Sequence, residues 1–97
     1  MTVVILGGLD RFKHRYEALA AAEGINLRVF PGRIRNLSCK LSGADAIIMF
    51  TDLVSHSTAK TVYHHARCQN KNLICSHKSS LSAAKHCLEQ ALKRNND

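Results

Sequence analysis

Residues 44–50, ADAIIMF, followed by residues 51–60, TDLVSHSTAK, decide the fold. The first part is the most apolar run of the chain, as a central strand of a parallel sheet requires. The second part turns polar and then takes up helical spacing. An apolar run handing over to a helix through a short polar loop is half of a parallel βαβ unit. The same grammar recurs on both sides. Residues 2–6 (TVVIL) form a second such run, broken by Gly7-Gly8. Phe12, Tyr16, Leu19 and Ala20 then mark the apolar stripe of a helix predicted over residues 11–23. Asp10 is its expected N-cap and Gly24 its terminator.

Residues 26–30 (NLRVF) predict a shorter strand, closed by a Pro31-Gly32 turn, and Ile34, Leu37 and Leu41 a short helix. The third helix is predicted over residues 55–69, with Ala59, Val62, Tyr63 and Ala66 inward. Residues 72–75 (NLIC) predict the fourth strand. A last helix turns Leu81, Ala84, Leu88, Ala91 and Leu92 inward. Four strands alternating with helices imply right-handed crossovers. The expected architecture is a single small α/β domain over residues 1–93, with a frayed polar tail at 94–97. Its doubly wound, Rossmann-like or flavodoxin-like parallel sheet has strand order 2-1-3-4.

In such a sheet the loops leaving the carboxyl ends of the strands share one rim, where ligands bind. That rule gathers Gly7, Gly8, Asp10 and Arg11 from the first loop. Thr51, Asp52, Ser55 and His56 come from the third, and Ser76 to Ser80 from the fourth. The expected ligand-binding set is Gly7, Gly8, Arg11, Asp52, Ser55, His56, Ser79 and Ser80. Each serine could equally be a helix cap, and Gly7-Gly8 an ordinary βα turn. His56, in a first helical turn, faces an unfavourable dipole if protonated, so a neutral imidazole able to bind a metal is expected. GxGxxG is absent, and so is the phosphate-loop pattern GxxxxGK[ST].

The 97 residues carry 14 Lys and Arg against 7 acids, a formal +7, with six histidines and four cysteines. The charge attracts anions, nucleic acid included, yet it is spread along the chain rather than gathered in one arm. Five aromatics and no tryptophan give little for base stacking. No apolar run approaches the ~20 residues of a membrane span. The chain opens directly into a strand, without a basic segment and long apolar run, so a cytoplasmic address is expected. Cys39, Cys68, Cys75 and Cys87 form no CxxC and are expected reduced and mostly buried. Candidate metal ligands are His56, His14, and the i, i+4 pair His64 and Cys68, which alone supplies two ligands of the four zinc wants. Haem iron or a divalent transition metal suits this density of donors. Cys75, beside His77, is the best-placed thiol for Cys–His chemistry, with no orienting acid evident.

These residues resemble, nearly end to end, the bacterial family called domain of unknown function 2325. The resemblance rests on the first strand with its GG, on GADAIIMFTDLVSH, on the helix up to Arg67-Cys68, and on SHKSSLSAA. Val54-Ser55-His56 and Ser79-Ser80-Leu81 match the family's Val-Ser-His and Ser-Ser-Leu. His77 or Lys78 stands where the family usually carries arginine. The resemblance implies a Rossmann-like fold and a rim site around His56, and brings no reaction. The expected function is a small non-catalytic ligand-binding or regulatory protein, a homodimer through an exposed sheet edge. The alternatives are a basic nucleic-acid-associated regulator and, third, an anion- or phosphate-directed enzyme.

Overall fold

The computed structural model describes residues 1–30 and 35–95 of the chain. The strands are β1 (Thr2–Leu6), β2 (Asn26–Phe30), β3 (Ala46–Phe50) and β4 (Asn72–Ser76). The helices are α1 (Lys13–Ala22), α2 (Leu37–Leu41), α3 (His56–Gln69) and α4 (Leu81–Asn95), with a 3-10 turn, Asp10–Phe12, ahead of α1. All strand pairs are parallel and their order is β2-β1-β3-β4. Such pairing needs long crossovers, and α1, α2 and α3 supply them. The expected Pro31-Gly32 turn and Ile34 lie outside the described residues.

β1 and β3 are the interior strands, and alternation divides their side chains between two cores. Val3, Ile5, Ala46, Ile48 and Phe50 meet Tyr16 and Ala20 of α1 and Ala84, Cys87, Leu88 and Ala91 of α4. Val4, Leu6, Ile47 and Met49 meet Leu41 of α2 and Val62 of α3 on the opposite face. Each large aliphatic fully buried in this way stabilises the fold by about 1.5–3 kcal/mol. A sheet covered by helices on both sides explains why the strand runs are continuous rather than alternating.

The crossover helices depart to opposite faces after β1 and after β3. These two strands are neighbours, so the topological switch point lies between them. The register sets Leu6 opposite Phe30 and Met49, and Phe50 opposite Ser76. The strands therefore end level, and their loops emerge along one edge.

Several local expectations need correction. Asp10 makes no cap: the chain first takes a 3-10 turn, with Phe12 N–H donating to Leu9 O at 2.9 Å, so α1 begins at Lys13 with Phe12 as its N-cap. Tyr63 is 46% exposed, because α3 packs through Val62 and Ala66 and the next position turns out over edge strand β4. Cys39, Cys68 and Cys75 are exposed, and only Cys87 is buried, where desolvation pushes its thiol pKa up. α4 runs through Lys93 and Arg94 to Asn95. Those cations suit the negative end of the helix dipole, and Arg94 Nη1 donates to Leu73 O at 3.5 Å.

Candidate functional site

Three loops meet at the carboxyl edge, and most of their cross-links come from side chains. Tyr16 is wholly buried, yet its hydroxyl spans two loops: it accepts from Leu9 N–H at 3.2 Å and donates to Ser79 O at 2.6 Å. Ser79 Oγ donates to Asp52 Oδ2 at 3.3 Å, joining the β4–α4 loop to the β3–α3 loop. A second bridge there runs from Thr51 Oγ1 to Ser76 O at 3.4 Å, with His77 Nδ1 at the same distance from that hydroxyl. Thr51 N–H donates to Ser76 O at 2.9 Å. The rim is thus fixed by polar contacts that no single loop could make alone.

Gly7 and Gly8 serve this packing. Both are buried with positive φ, at 87° and 84°. A Cβ on Gly7 would lie 2.8 Å from Val54 Cγ2 and 3.0 Å from Phe50 O, and one on Gly8 would lie 3.1 Å from Tyr16 Cε2. The close approach expected for a ligand is taken up by the protein itself.

The serines are also occupied. Ser55 caps α3: its Oγ accepts from Thr58 N–H at 3.2 Å and donates to Thr58 Oγ1 at 2.9 Å. Ser80 Oγ accepts from Ala83 N–H at 3.2 Å, the same duty for α4. Such caps contribute about 1 kcal/mol each. Ser76 Oγ closes its own loop with Lys78.

Exposed on the rim are Asp52, His56 at the first turn of α3, His77 and Lys78 of the β4–α4 loop, and Arg11 of the β1–α1 loop. The Arg11 guanidinium lies 5.1 Å from the Phe12 ring centroid, a cation–π contact at the end of an aromatic row. Phe12 meets Tyr16 edge-on, and Tyr16 tilts onto Phe50. Leu53, three positions before His56 in the loop that leads into α3, is 39% exposed and adds apolar surface.

The other donors lie elsewhere. His14 pairs with Glu17 at 3.4 Å on the outer face of α1. His64 Nε2 and Cys68 Sγ approach to 3.6 Å on exposed α3. Among the described residues no three His, Cys, Asp or Glu side chains group closely enough to hold a metal, so His56, His14, His64 and Cys68 do not form one centre. Beside His64, His65 is half-buried, its Nε2 buried without a partner among the described residues. Desolvation, then the charges of Lys71 and His64, lower its pKa.

Cys75 and His77 take separate partners rather than each other. Cys75 Sγ meets the Tyr63 hydroxyl at 3.4 Å, a contact that raises the phenol's pKa, whereas His77 faces Thr51. Asp45 and Asp52 stand at opposite ends of β3, and Asp45 Oδ2 accepts from Thr2 N–H at 2.7 Å. They cannot act together as acid and base.

The family model described as "Uncharacterized protein conserved in bacteria (DUF2325)" matches residues 2–91. The chain belongs to this family. The DUF2325 chain is similar in fold to a de novo designed Rossmann fold protein. That likeness has a TM-score of 0.63 at 15% identity and covers 95% of this chain and 97% of the design. At such identity the likeness shows the fold alone. No curated protein matches the chain. The rim of this DUF2325 protein, rather than a named relative, must therefore carry any functional reading.

Tyr16 as the bridge between loops was missed in the sequence, where it reads only as one member of a helix stripe. His77 lies on the rim with the rest of the 76–80 loop, as the β3–β4 register requires, but its approach to Thr51 Oγ1 at 3.4 Å is not legible in the sequence.

Proposed function

We propose that this DUF2325 protein is a small non-catalytic ligand-binding or regulatory module whose rim presents the His56 imidazole to a haem iron. The observation that carries this reading is the division of labour on the rim. The serines and glycines are consumed in caps and packing, while His56 stands exposed three positions after the exposed Leu53. A bare divalent ion needs several protein donors close together, whereas haem brings four nitrogens of its own and requires one or two axial ligands. Leu53 offers apolar contact to a porphyrin face, and Arg11 and Lys78 offer charge to its propionates. A divalent transition metal held by His56 is the lesser form of the same idea. A phosphate-directed enzyme would need the Ser55 and Ser79 hydroxyls that capping and Asp52 already engage. A cytoplasmic address belongs to the same proposal; among the described residues no helix is long and apolar enough to cross a membrane.

Titration with haemin, followed by absorption, is expected to give a saturable Soret shift that His56→Ala weakens by more than about tenfold, or about 1.4 kcal/mol. Because His56 is exposed, the variant should unfold at the wild-type midpoint. Equal haemin affinity in the two proteins refutes the assignment. The +7 charge favours a second reading, nucleic-acid binding; it requires a steep loss of affinity with salt in a gel-shift titration, and no shift even at low salt removes it.

A further inference from the structure

We infer that His64 and Cys68 form half of a tetrahedral metal site that a second copy of the chain completes. Nε2 of His64 and Sγ of Cys68 are 3.6 Å apart on adjacent turns of α3. With Zn–N near 2.0–2.1 Å and Zn–S near 2.3 Å at the tetrahedral angle, two ligand atoms on one zinc stand about 3.5 Å apart. The side chains thus already sit at the spacing of one edge of the coordination tetrahedron. Both residues are exposed, so neither helix packing nor burial blocks approach.

Two donors leave two positions open, and structural zinc closes all four. A twofold axis through the metal supplies the missing pair from the same residues of an identical chain, giving a Cys2His2 site by isologous contact. Each thiol passes its proton to solvent on binding. The two thiolates then balance the dication, and the completed site is neutral. Copies that each carry +7 repel one another. Association through this helix is therefore conditional on the metal, and screening by salt strengthens it.

This site is distinct from the rim. His64 lies eight positions after His56, about 12 Å along the helix axis at 1.5 Å per residue.

The test is sedimentation of the whole chain with and without Zn²⁺, under reducing conditions, with Co²⁺ as a spectroscopic substitute. The expected result is a monomer without metal and a dimer holding one ion per two chains. The Co²⁺ form should show a thiolate charge-transfer band and tetrahedral d–d absorption. Cys68→Ser and His64→Gln should each abolish the dimer and alter the Co²⁺ spectrum. Cys75→Ser and His56→Ala should preserve both, which separates failure here from failure at the rim. Metal bound by a monomer, a metal-independent dimer, absence of Co²⁺ binding, or a metal-linked dimer that survives Cys68→Ser would each overturn the inference.

Discussion

Tyr16→Ala is expected to lower the unfolding free energy by about 3–5 kcal/mol, the range for removing a large buried aromatic. The ring is wholly buried between Phe12 and Phe50, so truncation forfeits its transfer free energy and leaves a cavity beside the switch point. Tyr16→Phe isolates the hydroxyl. It keeps the packing and strands Leu9 N–H and Ser79 C=O, which the hydroxyl otherwise joins across two loops. Unsatisfied groups of this kind cost about 1–3 kcal/mol. Denaturant unfolding gives the magnitudes. Amide exchange adds a local signature, since Leu9 should exchange faster in the phenylalanine variant. A Tyr16→Phe protein with unchanged stability and unchanged Leu9 protection would show that the loops are held by something else.

Gly7→Ala should be comparably damaging for a different reason. The new methyl would lie 2.8 Å from Val54 Cγ2 and 3.0 Å from the Phe50 carbonyl oxygen, at φ +87°. Left-handed backbone strain on a non-glycine residue costs about 1–3 kcal/mol, and overpacking adds about 1–3 kcal/mol more. The Val54 methyl can turn away only by leaving its rotamer or shifting the β3–α3 loop, and the Phe50 carbonyl, 3.0 Å away, belongs to the backbone of a central strand. Gly24→Ala is the control. Its φ is +71° but no atom lies within 4 Å of the added Cβ, so it should pay conformational strain alone, about 1–2 kcal/mol. Comparing the two variants by thermal unfolding separates steric from conformational cost. Equal losses would mean that the Gly7 contact with Val54 relaxes freely.

The layout of the domain was legible because it depends on period and continuity. VVIL and AIIMF announce interior strands by being apolar at every position, and the stripes of α1 and α4 announce their buried faces. Once the order 2-1-3-4 is assumed, the shared rim follows, as does the place of His56 on it. The links between loops were not legible. Tyr16 and Ser79 are 63 positions apart in the chain, and periodicity says that Tyr16 turns inward without saying whose carbonyl its hydroxyl meets. The Asp52–Ser79 contact was hidden for the same reason. Tyr63 misled because its spacing fits the inward stripe, while the edge position of β4 leaves no neighbour to bury it. The cysteines misled because a general preference for burial says nothing about a thiol on a short helix or an outer strand. Asp10 has a good capping residue's chemistry, but the 3-10 turn moved the helix start past it.

The most direct test of the account is the backbone amide spectrum of the chain titrated with ferric haemin, whose paramagnetism broadens nearby resonances. The account predicts broadening centred on residues 7–11, 51–56 and 76–80 together, from the first additions, and its loss in His56→Ala. Broadening centred instead on the amino edge of the sheet around Thr2, Asn26 and Asp45, or spread evenly over the surface, would contradict it.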